Sequence, residues 1–237
     1  HYDLADPARR YSRLGVSDVK AVEAVASLIC GLMFHFNCEN DDFKALSKTL
    51  DHIGRGYGPL MKKMEWISLG GGIAFTKQGY PLDDFCRRLK TLSETFGVQV
   101  YLEPGEAAIT GCAELVTTVL DVVHNGIDVA IVDASMEAHM LDHLVYRTSP
   151  KIASPGPGPH RTMIAGRSCL AGDVFGDYRL KARLKPGDAV HLADAAGYTM
   201  VKKNWFNGLT MPAICVRRID GTLDTVRSFG YKDYIDG

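Results

Sequence analysis

The chain has 237 residues, 46% of them hydrophobic, enough for one large core or two smaller ones. Its 27 Lys and Arg stand against 28 Asp and Glu. No charge excess draws it to a phosphate backbone or an anionic bilayer, so neither nucleic acid nor membrane is an expected partner.

From Leu14 to about Ala108, short apolar runs alternate with amphipathic stretches. "SRLGV" (12–16) opens the pattern and precedes "SDVKAVEAVASLI", where Ser17 is the expected cap and Val19, Val22, Val25 and Ile29 recur at helical spacing. "GLMFHF" (31–36) reads as a strand, and "DDFKALSKTLDHIGRGYGPLMKKM" (41–64) as one or two helices. "WISLGG" (66–71) is a strand, "PLDDFCRRLKTLSETFG" (81–97) a helix closed by Gly97, and "VQVYLEPG" (98–105) a further strand. The count is four βα repeats, which implies a parallel sheet with crossover helices. Four units are half of an eight-fold barrel or most of an open doubly wound sheet. The chain has no initiator methionine and opens in mid-pattern, which favours the half barrel and an N-terminal portion upstream.

After Ile109 the texture changes. "ELVTTVLDVVHNGIDVAIVDAS" (114–135) places Asn125-Gly126 between β-branched runs, a hairpin signal. "SPGPGPH" (154–160) is expected to be irregular, because proline removes donors and glycine removes restraint. "DYRLKARLKPGDAVHLAD" (177–194) predicts two short strands around a Lys185-Pro186-Gly187-Asp188 turn. The reading is an α/β chain with two domains: the second half of a barrel at residues 1–108, then a mainly antiparallel β domain at 109–237. The six cysteines, Cys30, Cys38, Cys86, Cys112, Cys169 and Cys215, lack the spacing of a zinc site or disulfide framework, so a reducing, cytoplasmic setting and no metal are expected. No apolar run reaches the roughly 20 residues of a bilayer span.

Several motifs carry chemistry as well as plain structural readings. Gly70, Gly71 and Gly72 follow a parallel strand, where bare backbone amides approach a phosphate or merely make a tight turn. Glu103, in "YLEPGEAA", ends the next strand; it holds a cationic group or a protonated ring nitrogen, or forms a surface turn. His35 lies in an apolar strand with Cys38 and Glu39 after it, either as a satisfied core residue or stacked on a planar cofactor. "GRSCLAGDVFG" sets Cys169 and Asp173 among glycines, as a reactive or an inert thiol with its neighbouring acid. "ADAAGYTMVKKNWFNG" adds Tyr198 and the pair Lys202 and Lys203, whose plain reading is strand positions with solvated lysines.

Taken in order, stacking histidine, glycine loop, Glu-Pro-Gly, Cys with Asp, "GYT" and "FNG" resemble the alanine-racemase-like, ornithine/diaminopimelate type of decarboxylase that uses pyridoxal 5'-phosphate. The resemblance runs over essentially the whole chain. "DVAIVDASMEAHM", "GRSCLAGDVFG" and "YTMVKKNWFNG" look like the branch acting on carboxylated polyamines such as carboxynorspermidine and carboxyspermidine. The resemblance implies a (β/α)8 barrel followed by a β domain. His35 would stack on the cofactor ring, Gly70, Gly71, Gly72, Gly105 and Tyr198 would bind its phosphate, and Glu103 would pair with the ring nitrogen. Cys169 would be presented from the partner subunit of a homodimer, near the carbon that must be reprotonated, so that Cys169 and His35 form the catalytic pair. Ornithine and diaminopimelate enzymes resemble each other in having Arg after Glu-Pro-Gly, whereas this chain has Glu106, which suits a substrate with amines along its length. Asp142 and Asp173 are further candidates for amine contacts by the same analogy. The family's cofactor-linking lysine lies on an early barrel strand, upstream of anything equivalent to His1, so no lysine here is given that role. A diaminopimelate- or ornithine-type decarboxylase, a catalytically dead regulatory homologue and a simple phosphate-ligand module are the other readings.

Overall fold

A computed structural model describes residues 6–36 and 40–236, so Cys38 and Glu39 lie outside the described residues. The chain forms two compact units, residues 1–108 and 109–237.

In the first unit, helix α1 (Val19–Ala24) is capped by Asp18, whose side chain accepts from the Lys20 amide, and not by the expected Ser17. Strand β1 (Gly31–Met33), helix α2 (Phe43–Met61), strand β2 (Trp66–Ser68), helix α3 (Leu82–Phe96), strand β3 (Gln99–Tyr101) and the short helix α4 (Glu106–Ile109) follow. Residues 12–16 form no strand, so the described residues of this unit contain three parallel strands and not four repeats. With a single apolar pair, Leu14 and Val16, that segment has too little to bury, and both side chains are exposed.

Helix α2 is one helix that runs through Pro59. Asp42 caps it by accepting from the amides of Lys44 and Ala45, and Leu46, Leu50, Ile53 and Leu60 return on one buried face. Gly97 ends α3 in the left-handed conformation, φ 69° and ψ 34°, as its position predicts. The strands pair in order β1-β2-β3 with Met33, Ser68 and Tyr101 level with one another. Ile67, Leu69 and Val98 from the sheet region pack with the α2 face and with Phe85 and Leu92 of α3.

In the second unit, the main sheet has six strands. Strands β4 (Glu114–Asn125) and β5 (Ile127–Val132) form the hairpin that Asn125-Gly126 signals, with Gly126 at φ 73°. Leu115, Thr117 and Val119 on β4 are buried while their neighbours face out, the period of two expected of a half-buried strand. Helices α5 (Met136–His139) and α6 (Leu141–Tyr146) lead to β6 (Ile152–Ser154), β7 (Pro157–Ala165), β8 (Val174–Leu180) and β9 (Ala189–Ala193). The six strands run in the order β6-β9-β4-β5-β7-β8, and all pairings are antiparallel except that of β5 with β7.

Two stretches of the second unit differ from the sequence-based expectation. The stretch 154–160 is largely strand: β7 begins at Pro157, where its pairing with β8 slips between Pro157 and His160. Pairing with β5 starts only at Thr162, so the prolines sit where one side of the strand needs no donor. Residues 198–203 lie in and just after helix α7 (Gly197–Lys202), not in a strand. The Lys185–Asp188 turn does form, the Asp188 amide donating to the Lys185 carbonyl at 3.1 Å, although the strands on either side of it pair with other neighbours. A separate hairpin of β10 (Ile214–Arg217) and β11 (Leu223–Arg227) and helix α8 (Tyr231–Asp236) complete the unit. Among the described residues no helix is long and apolar enough to cross a membrane.

His139 is buried in this unit, and its Nδ1 accepts from the Ser135 amide at 3.1 Å. Burial pushes its pKa from 6.5 down to about 4, against weaker support for the charged form from Asp173 and Asp133. Because the folded pKa lies below the unfolded one, this contribution to stability is complete above pH 6.5 and is lost as pH falls toward 4. The loss amounts to roughly 3 kcal/mol. Burial raises the Glu137 carboxyl, which titrates in the opposite sense and offsets part of that loss. Denaturation midpoints measured from pH 7 to pH 5 should fall in the natural protein and fall less in His139→Gln, which keeps an acceptor but cannot titrate.

Candidate active site

Three parallel strands ending at one level place the residues just beyond them side by side. The ladder continues past the strand ends: Phe34 donates its amide to the Ser68 carbonyl at 2.8 Å, Leu69 to Tyr101 at 3.0 Å and Glu103 to Gly70 at 2.9 Å. His35, Gly70 to Gly72 and Glu103 therefore meet at the C-terminal edge of this sheet, the edge where parallel α/β sheets carry their sites.

Contacts here explain the glycines. Gly70 has φ 69°, and a Cβ built on it would fall on the His35 imidazole. A Cβ on Gly71 would lie 2.6 Å from the Glu103 carbonyl oxygen. Among the described residues the amides of Gly71 and Gly72 donate to no acceptor, while the Gly72 carbonyl is tied to the Asn40 amide at 2.7 Å. Among the described residues the buried Nδ1 of His35 has no hydrogen-bond partner. Glu103 is exposed, with Oε1 accepting from the Ser68 hydroxyl at 2.5 Å. That hydroxyl also accepts from the Gly70 amide at 3.1 Å. A Cβ on Gly105 would meet nothing within 4 Å, so no packing demand explains that glycine. Glu106 is the first residue of α4.

Ser68, 2% exposed, was not singled out in the sequence. Its signal was a hydroxyl closing an apolar strand, which burial obliges to find a partner. That the partner stands 35 positions on, at Glu103, is visible only in the folded sheet.

The second unit holds the other candidates. Cys169 is an exposed thiol whose amide donates to Asn207 Oδ1 at 2.7 Å. Asp142 is paired through Oδ1 with Lys202 Nζ at 2.6 Å, and that ammonium also lies 4.6 Å from the centre of the exposed Tyr198 ring. Lys203 donates to the Met200 carbonyl at 2.9 Å, so neither lysine is simply solvated. Asp173, the other candidate for an amine contact, sits inside the second unit. It is 3% exposed, and its two oxygens accept from the amides of Met136 and Ser168.

Residues 11–196 match the family model described as pyridoxal-dependent decarboxylase, C-terminal sheet domain. The chain belongs to this family of pyridoxal-dependent decarboxylases. It is 47% identical over 99% of its length to a carboxynorspermidine/carboxyspermidine decarboxylase of Herminiimonas arsenicoxydans, of which it covers 64%. It is 37% identical over 98% of its length to a carboxyaminopropylagmatine decarboxylase of Synechocystis, of which it covers 61%. The crystal structure of carboxynorspermidine decarboxylase from Campylobacter jejuni, complexed with norspermidine, superimposes with a TM-score of 0.87 at 35% identity. That match covers 96% of this chain and 65% of the solved one. The chain thus spans just under two-thirds of the length of these relatives, and its fold is the α/β one of part of a barrel followed by a sheet domain.

Pyridoxal phosphate, the family's cofactor, fits the first unit on two observations. Among the described residues the Gly71 and Gly72 amides meet no acceptor, which suits an anion, and the buried His35 Nδ1 meets no partner, beside an acid that the Ser68 hydroxyl orients.

Proposed function

We propose that the whole protein decarboxylates carboxynorspermidine or carboxyspermidine, releasing CO₂ and giving norspermidine or spermidine in polyamine biosynthesis. The observation that carries this reading is the convergence of His35, Gly70 to Gly72 and Glu103 at one sheet edge, in a chain of this family. When bound, the cofactor supplies an electron sink for the charge left as CO₂ departs.

The chain's own residues then have distinct tasks. The amides of Gly71 and Gly72, with Gly105, would hold the phosphate, and His35 would lie beside the ring. The Glu103 carboxylate keeps a proton on the ring nitrogen, and Ser68 fixes the carboxylate's direction. Cys169 of the partner subunit donates its Sγ proton to the carbon that has lost CO₂, so the working unit is a homodimer. Glu106 accepts a substrate ammonium. Asp142, paired with the Lys202 ammonium, is the second unit's own candidate for an amine contact. Cys30, Cys86, Cys112, Cys169 and Cys215 are unpaired thiols, which supports a reducing cytoplasmic setting.

The rival within the family is a diaminopimelate or ornithine substrate. A panel of these amino acids and the carboxylated polyamines, assayed with the whole protein, decides between them. The proposal expects kcat/KM highest for a carboxylated polyamine and reduced by roughly tenfold or more in Glu106→Arg, the loss of one charge-assisted contact. Turnover of diaminopimelate or ornithine in preference would overturn it.

A further inference from the structure

We propose that Asp173 is a positioning residue for Cys169, holding the loop 166–172 in the shape that presents the thiol. The inference rests on the reading of Cys169 as proton donor given above. One carboxylate spans two segments: Oδ1 accepts from the amide of Met136, the first residue of α5, at 2.7 Å, and Oδ2 from the amide of Ser168 at 3.0 Å. Ser168 immediately precedes the thiol.

The loop is built around this anion. A Cβ on Gly166 would fall on the Asp173 carboxylate, so glycine is what admits it. The Asp173 backbone closes the loop as well, its amide donating to the Leu170 carbonyl at 2.9 Å and its carbonyl accepting from the Gly166 amide at 2.8 Å. Burying a carboxylate is costly unless hydrogen bonds replace its water, and bonds from amides to an anion are about twice as strong as neutral ones. A substrate ammonium could reach Asp173 only by taking its oxygens from both amides.

Asn207 holds the loop at a second point. Its Oδ1 accepts from the Cys169 amide at 2.7 Å, and it does so from a left-handed backbone conformation, φ 55° and ψ 17°. The 204–207 segment is itself anchored to α5, because Asn204 donates its amide to the Ala138 carbonyl at 2.8 Å and its side chain to the Glu137 carbonyl at 3.1 Å. With the amides of Ser168 and Cys169 both fixed, the direction of the exposed thiol is set from the backbone.

Asp173→Asn keeps the shape but turns one acceptor into a donor facing an amide. In the whole protein loaded with pyridoxal phosphate, kcat should fall by about tenfold or more with KM within about twofold, the signature of a displaced catalytic group. Adding Cys169→Ala to Asp173→Asn should cost little further turnover. Site-resolved alkylation by iodoacetamide should change in rate at Cys169 and stay constant at Cys30, Cys86, Cys112 and Cys215. Asn207→Ala should show the same kcat loss and the same selective change, which keeps the proposal testable if Asp173→Asn fails to fold. A raised KM with unchanged kcat, or unchanged alkylation in both variants, would overturn the positioning role. Full turnover in Cys169→Ala alone would instead remove the proton-donor reading, while alkylation would still report on the loop.

Discussion

Gly70→Ala is expected to abolish stable binding of pyridoxal phosphate while leaving most of the first unit folded. Two costs coincide at this residue. Its φ of 69° is strained for any residue with a Cβ, by roughly 1–2 kcal/mol. The new methyl group would also overlap the His35 imidazole, and the nearest atoms include the ring's base as well as its edge, with Cβ of His35 3.1 Å away. A rotamer change alone cannot clear that overlap, so the histidine and the turn separate. The Gly70 amide and carbonyl hold Ser68 and Glu103, so the shift reaches the acid too. Absorbance titration with the cofactor should show affinity reduced by about 100-fold, equivalent to roughly 3 kcal/mol. Gly105→Ala is the contrast: a Cβ there meets nothing within 4 Å, so thermal stability should be unchanged.

Glu103→Gln is expected to retain the cofactor and lose turnover, by about 100-fold in kcat at saturating substrate, the scale set by removing one aligned electrostatic partner. A neutral amide can accept a hydrogen bond from the ring nitrogen but cannot stabilise its positive charge, so the electron sink weakens without the site emptying. Ser68→Ala acts one step removed. The carboxylate keeps its charge and loses the 2.5 Å bond that aims it, so a loss of about tenfold is expected, in line with a hydrogen bond to a charged group. Steady-state kinetics with the cofactor spectrum recorded alongside separates these effects from loss of binding. Natural turnover in Glu103→Gln with the cofactor bound would remove Glu103 from the chemistry.

What the sequence made legible follows the strength of each local signal. Long amphipathic segments declare themselves, and α2 and α3 lie where their apolar spacing and Gly97 put them. Asn125-Gly126 makes its hairpin because few other dipeptides tolerate that turn. Short segments mislead. Residues 12–16 had the look of a strand start but no face to bury, and 154–160 had the composition of a loop yet became strand because its prolines fall outside the β5 pairing. At the site, His35, Gly70 to Gly72 and Glu103 could be picked out one by one, since each follows an apolar run. Their partners could not. Ser68, Asn207 and the bond from the Met136 amide to Asp173 depend on residues brought together across 35 to 38 positions.

A crystal structure of the whole protein with pyridoxal phosphate decides whether this sheet edge is the cofactor site. The phosphate should lie on the amides of Gly71 and Gly72, the ring against His35 and the ring nitrogen within hydrogen-bond reach of Glu103. Density for the cofactor at any other place, with these residues untouched, would contradict that placement.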